Sequence, residues 1–270
     1  MPGLSLTYYL LLIIYYLDNV ESSDYIFGIH SAIEAIESGR TVDKLLVKKD
    51  LNGDMAQRLL KLAKAHMIPV QRVPVEKLNR ITRKNHQGVV AFLSAVEYCR
   101  LHDIVPTMFE DGLLPFILVL DGITDVRNFG AIARTAECCG VNAIVIPTRG
   151  SVSVGADAVK TSAGALLHIP VCRENSLSDA VRFLKDSGCQ IVCATEKASE
   201  NYTLGNYTTP LALVMGAEDI GISPEVLRLA DTRSAIPMFG KIGSLNVGVA
   251  AGVMMYEVVR QRLADNLEII

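Results

Sequence analysis

The 270-residue sequence holds six cysteines, none in a C-x-x-C pair, and no histidine stands at zinc-finger spacing from them. That pattern gives no zinc module, and free buried thiols in a reducing cytosol are expected. The five histidines are scattered and form no Ser/His/Asp arrangement; His168 is expected to open an apolar strand in a structural role. Neither G-x-G-x-x-G nor G-x-x-x-x-G-K-[ST] occurs at the glycine turns, so a dinucleotide fold and a phosphate-cradling NTPase loop are unsupported. There is no internal repeat and no low-complexity block. The uncharged apolar stretch Leu4–Leu17 falls short of the roughly 20 residues that span a bilayer. It also lacks a basic flank and a small-residue cleavage site, so no secretory signal is expected. Residues 1–23 are read as an atypical apolar extension, either a non-native lengthening of the reading frame or a segment that docks on a partner, with a membrane anchor as the lesser alternative.

Three segments stand out. Phe116-Ile-Leu-Val-Leu-Asp121 is a short apolar run, expected to be a buried strand, that empties into Gly122–Gly130 and then a helix Ala131–Cys139. Leu211-Ala-Leu-Val-Met215 is a second such run, emptying into Gly216-Ala-Glu-Asp-Ile-Gly221. Strand, polar glycine turn, helix is how open α/β sheets build sites at the carboxyl ends of their strands. The third segment, Ile236–Gly252, puts a Pro-Gly-Gly loop and the pair Ser244-Leu-Asn246 before a helix Val247–Leu263. The plain reading is a loop capping a core helix, with Asn246 as N-cap.

Together Asp121–Ala136, Val214–Ser223 and Ile236–Gly252 resemble the motifs of the SpoU (TrmH) family of SPOUT RNA 2′-O-ribose methyltransferases, and the resemblance covers roughly residues 24–264. Phe27-Gly-Ile-His30 and His86-Gln-Gly-Val-Val-Ala91 are similar to the subgroup that methylates a guanosine of 23S rRNA. One departure is Gly248, where the family often has serine. The resemblance implies an α/β protein in two parts. An L30e-like RNA-binding domain would occupy residues 24–97, followed by a linker over 98–114. A SPOUT domain over 115–264 would be a parallel sheet with helices on both faces and a deep trefoil knot.

Charge agrees with that division. Residues 24–97 carry 12 Lys and Arg against 8 Asp and Glu, although the whole chain is net −3. A basic small domain beside an acidic larger one suits RNA capture; the alternative is that these cations are solvated helix faces.

A ribose hydroxyl is a poor nucleophile at neutral pH, so it must be held in line with the methyl group while charge on its oxygen is stabilised. The resemblance implies S-adenosylmethionine as methyl donor and no metal. It places Asn128 and Arg134 at the reacting ribose, with Glu218, Ser244 and Asn246 across the site. Thr195, Glu196, Gly216, Ile236 and Leu245 would surround the donor. The family arginine is often described as a base, but a guanidinium stays protonated far above neutrality. A cationic role for Arg134, gripping phosphate and forming alkoxide, is therefore expected. Its plain alternative is an i,i+3 partner of Glu137. Glu218 would position an asparagine or accept a proton. Arg80, Arg83 and Lys84 are expected to bind RNA. A cytoplasmic homodimer through the C-terminal helix is implied, with Arg134 reaching the partner's donor site. A tRNA methyltransferase of the same family and a non-catalytic ribosome-assembly protein are the alternatives.

Overall fold

A computed structural model describes residues 25–265; the expectations for residues 1–23 lie outside the described residues. The chain forms two units, one running through Val96 and including Ser153–Asp157, the other comprising Glu97–Val152 and the residues from Ala158 onward.

The first unit contains β1 (Tyr25–Phe27), α1 (Ile29–Glu37), β2 (Val42–Lys48), α2 (Asp54–Ala65), β3 (Val70–Val73), α3 (Val75–Ile81) and β4 (Val89–Leu93). Its sheet has the order β1-β4-β2-β3, with only the β2–β3 pair parallel. Side chains alternate across a strand, and the cores follow that alternation. Leu45 and Val47 pack under α1 and α2 with Val89 and Ala91, whereas Leu46 and Val90 pack with Leu78 of α3. Strand β3 was not expected, because Gln71 and Arg72 at its centre are exposed polar residues on an edge.

The second unit is built on β5 (Tyr98–Cys99), β6 (Phe116–Asp121), β7 (Ala143–Pro147), β8 (Val171–Glu174), β9 (Gln190–Ala194), β10 (Glu200–Asn201), β11 (Leu211–Gly216) and β12 (Thr232–Ala235). Their order is β10-β12-β9-β11-β6-β7-β8-β5, and every pairing is parallel. The central strands are continuous apolar runs because a parallel sheet is covered on both faces. Ile117, Val119, Ala212 and Val214 pack against α4 (Leu101–Glu110), α7 (Leu177–Asp186) and α8 (Pro224–Leu227). The helices α5 (Val126–Cys138) and α9 (Val247–Ala264) pack on each other, and α9 also meets β11. The short α6 (Ala156–Thr161) lies between β7 and β8 in the chain.

Three expectations are corrected. The segment 98–114 is no free linker: it forms β5 and α4, and Leu101, Val105 and Met108 are buried in the second core. Pro106 sits inside that helix. The helix after β6 starts at Val126 rather than Ala131, because the Asp125 carboxylate accepts the Arg127 and Asn128 backbone N–H groups at 2.8 and 2.9 Å. Asn128 and Gly130 therefore lie on a helix, and Gly130 is needed there: a Cβ would stand 2.6 Å from the Thr161 side chain. His168 follows a 3-10 turn and is exposed instead of opening a strand.

The charged end of α9 is not simply solvated. Arg262 is buried and donates to the carbonyls of Leu114, Pro115 and Thr209 at 3.0–3.1 Å and to Tyr207 at 3.4 Å, with its guanidinium over the Phe116 ring. Burial lowers its pKa to about 10, still well above neutrality. Four carbonyls beside the starts of β6 and β11 are thus held by the last helix.

Candidate active site

Strands β6 and β11 pair in register from Leu211↔Phe116 to Gly216↔Asp121. The two glycine turns therefore leave the sheet at the same level. Asp121 joins them: its backbone carbonyl accepts the Ala217 N–H at 3.0 Å, and its carboxylate accepts the Ser223 N–H at 2.7 Å. Between these points the chain folds back so tightly that a Cβ on Gly216 would lie 2.2 Å from the Gly221 carbonyl carbon. Gly221 itself has φ +76°, a left-handed conformation that favours glycine. No role was assigned to Asp121 or Asp125 on sequence grounds. The legible signal was an aspartate at a strand end and another directly before a helix.

Beside this turn lies a cleft of about 680 Å³ including its open mouth. All five residues expected around the donor, Thr195, Glu196, Gly216, Ile236 and Leu245, line it, as do Glu218 and Ser244. Its apolar wall is completed by Met215, Ile222 and Met238. Ligand sites of this size are mostly apolar with a few placed polar groups, and an adenosine body with a charged sulfonium arm fits that description. The crowded Gly216 turn supports the fit, since any larger residue would push the turn away from the strand that it walls.

Asn128, Glu218 and Asn246 form one hydrogen-bonded cluster. Asn246 Oδ1 caps α9 by accepting the Gly248 and Val249 N–H groups at 3.0 and 3.4 Å. That fixes the amide, so its Nδ2 group donates to Asn128 Oδ1 at 3.0 Å and to Glu218 Oε1 at 2.6 Å. Glu218 Oε1 also accepts the Val247 N–H at 3.0 Å, and Asn128 Nδ2 lies 3.5 Å away. A carboxylate at a helix N-terminus meets the positive end of the helix dipole. Gly248 is accommodated by the same geometry: a Cβ there would sit 3.2 Å from Asn246 Oδ1 and 3.7 Å from the Ala131 Cβ.

Arg134 is apart from the cluster. It is exposed on α5 and, among the described residues, forms no ion pair; the pairing with Glu137 is not made. Ser244 is exposed at the cleft edge. In the first unit Arg80, Arg83 and Lys84 are all exposed, and Lys84 stands 5.7 Å over the Phe27 ring. His86 is buried, bonded to Asn79 at 2.9 Å and to the Gly88 N–H at 3.0 Å.

The cysteines are free. Burial pushes the thiols of Cys139 and Cys193 up to about 12 and that of Cys189 to about 11, and raises those of Cys99 and Cys172. Among the described residues no cluster of His, Cys, Asp and Glu could hold a metal ion, and no helix is long and apolar enough to cross a membrane.

The model of the SpoU rRNA methylase family matches residues 115–256, and that of the RNA 2′-O-ribose methyltransferase substrate-binding domain matches residues 25–99. A Bacillus subtilis protein assigned to the TrmH family of tRNA/rRNA methyltransferases is 38% identical over 242 residues, covering 90% of this chain and 97% of that protein. An S-adenosylmethionine-bound rRNA methyltransferase from Sinorhizobium meliloti superposes with a TM-score of 0.56 at 27% identity, covering 96% of this chain and 97% of that one. A TrmH/SpoU tRNA-modifying enzyme of A. aeolicus gives 0.50 at 28% identity, over 62% of this chain and 86% of its own. With these matches over both of its parts, the chain belongs to the SpoU (TrmH) family of S-adenosylmethionine-dependent RNA 2′-O-ribose methyltransferases.

Proposed function

We propose that the enzyme methylates the ribose of a guanosine in 23S rRNA, as a homodimer in the cytoplasm. The single observation that carries the chemical assignment is the Asn128–Glu218–Asn246 cluster at the edge of the cleft. The rRNA assignment is supported by the substrate-binding domain at residues 25–99 and by the near-complete overlap with an rRNA methyltransferase. The tRNA-modifying relative overlaps only 62% of the chain. Guanosine rests on the resemblance of Phe27–His30 and His86–Ala91.

When bound, S-adenosylmethionine supplies a methyl group on a sulfonium, which departs as a neutral thioether. Thr195, Glu196, Gly216, Ile236 and Leu245 hold it, and the SPOUT knot implied by the resemblance is what shapes these loops. Asn128 orients the ribose, and Asn246 holds Asn128 and Glu218 in place. Glu218 fixes both asparagines through Oε1, which already accepts three donors, while Oε2 has no partner among the described residues and can take the hydroxyl proton. Ser244 adds a hydroxyl at the cleft edge. Arg134 supplies positive charge to the phosphate and the developing alkoxide. Arg80, Arg83 and Lys84 bind the RNA backbone.

Methyl transfer to unmodified 23S rRNA and to tRNA transcripts, with the product mapped for 2′-O-methyl groups, tests the proposal. A guanosine methylated in rRNA alone is the expected outcome. Methylation of tRNA alone favours the tRNA alternative, and none on either substrate favours a non-catalytic role.

A further inference from the structure

Among the described residues, the most exposed of the large hydrophobic side chains belongs to the loop between β12 and α9. Phe239 is 95% exposed and Ile242 78% exposed. The residues on either side are committed elsewhere: Met238 precedes them and Gly243, Ser244 and Leu245 follow, all lining the cleft. The loop thus turns one set of side chains toward the donor site and presents a phenyl ring outward at its mouth. An isolated exposed apolar residue needs no explanation, but three further features surround this one.

Lys241 stands between Phe239 and Ile242, and no Asp or Glu occurs from Thr232 through Tyr256, in a chain that is net −3. The loop is therefore a cationic, acid-free segment. Gly240 and Gly243 both have open space where a Cβ would be, and neither has a positive φ. Nothing within the chain requires glycine at either place, so the bare backbone leaves room for something outside it. A phenyl ring with an interleaved cation, beside bare backbone, matches how single-stranded nucleic acid is held: bases stack on aromatic faces while cations track the phosphates.

We infer that Phe239 is the stacking platform for a base of the substrate RNA, at or next to the nucleotide being methylated, with Lys241 on the adjoining phosphate. The inference rests on the RNA methyltransferase reading and deepens it. It makes Phe239 a positioning residue, acting on substrate placement rather than on the reacting atoms. A second copy of this chain is the competing occupant, but an acid-free cationic loop suits a polyanion better than itself.

The sequence contains no tryptophan, so Phe239→Trp in the full chain introduces one fluorophore at the point in question. Stacking predicts that its emission is quenched by an unmodified 23S rRNA transcript and not by heparin, a polyanion without bases. Phe239→Ala should raise the KM for the transcript by about tenfold, the scale of one lost base stack, with kcat at saturating RNA and donor affinity close to wild type. Emission unaltered by the transcript overturns the inference. So does equal quenching by heparin, or emission that changes with protein concentration alone, which would place a second copy over the ring. Wild-type methyl transfer to the same transcript, measured in parallel, separates the two levels. Transfer without quenching sinks the stacking role alone, whereas quenching without transfer sinks the enzymatic reading and leaves the RNA contact standing.

Discussion

Asn246 donates its side-chain amide to Glu218 Oε1 at 2.6 Å, a bond that ties the turn after β11 to the first turn of α9. The same asparagine spends its oxygen on the helix cap. One residue therefore links the fold of α9 to the geometry of the proposed site.

Replacing Asn246 separates those two duties. Asn246→Ala removes the cap, worth about 1 kcal/mol, and should lower Tm by roughly 2–4 °C for a chain of this size. Asn246→Asp keeps an oxygen to accept the Gly248 and Val249 N–H groups but loses the donor to Glu218. It should melt close to wild type, yet fail to transfer methyl, because two carboxylates would then face each other. Thermal melts with single-turnover rates check both; a fully active Asn246→Asp enzyme removes the amide from the mechanism.

The Gly216 turn has no slack. Gly216→Ala puts a methyl group 2.2 Å from the Gly221 carbonyl carbon, so either the turn or the strand end must move. Calorimetric titration of S-adenosylmethionine should show binding lost or at least tenfold weaker, even where circular dichroism shows the fold intact.

For Arg134 the expected loss is catalytic. Its side chain is exposed and unpaired among the described residues, so Arg134→Ala should leave Tm within about 1 °C of wild type. Methyl transfer should fall on the order of a hundredfold or more. Arg134→Lys keeps charge but not the bidentate fork and should recover little activity, with a pH profile like wild type. Activity that instead rises with pH at a lower apparent pKa would identify the residue as a true base.

How far the sequence could be read follows from burial. Phe116–Leu120 and Leu211–Met215 were legible because central parallel strands are apolar on both faces. Thr232-Arg-Ser-Ala235 and Val70–Val73 were not, since each is short and puts polar residues outward. Helix α4 was masked by Pro106 and by its charges, although its Leu101, Val105 and Met108 repeat at helical spacing. Asn246 announced itself as a cap by preceding an apolar helix. Its link to Asn128, 118 positions away, could come only from the family resemblance, because no local pattern encodes such a contact. The site of Arg262 was illegible for the opposite reason: an arginine at a helix end reads as solvated, and only the packed structure turns it onto carbonyls.

That arginine makes a prediction of its own. Arg262→Met fills similar volume with an apolar chain but strands the carbonyls of Leu114, Tyr207 and Thr209, while Pro115 keeps the Leu211 N–H at 2.8 Å. Buried acceptors left without donors cost about 1–3 kcal/mol each where water cannot reach them. Urea denaturation should show a loss of roughly 3–5 kcal/mol, and unfolding should accelerate. Arg182, whose ion pair with Asp179 at 2.8 Å is exposed on the surface of α7, is the control. Arg182→Met should cost less than about 1 kcal/mol.

The proposed dimer is tested by complementation. On α9 the exposed apolar residues Val249, Tyr256 and Leu263 recur every seventh position, which draws one stripe along the helix. The proposed dimer would pack along that stripe, and a pair of carboxylates there should break it. Val249→Asp combined with Leu263→Asp is expected to give a monomer by light scattering at micromolar protein. If Arg134 serves the donor site of the partner subunit, that monomer binds S-adenosylmethionine but does not transfer methyl. Two inactive variants then decide the matter. Arg134→Ala subunits keep an intact Asn246 cluster, and Asn246→Ala subunits keep an intact arginine. In a mixed dimer with the arginine acting across the interface, one of the two sites is whole. Random mixing of equal amounts should therefore restore roughly a quarter of wild-type activity. If the arginine acts within its own subunit, every site in the mixture lacks one of the two groups, and no activity returns.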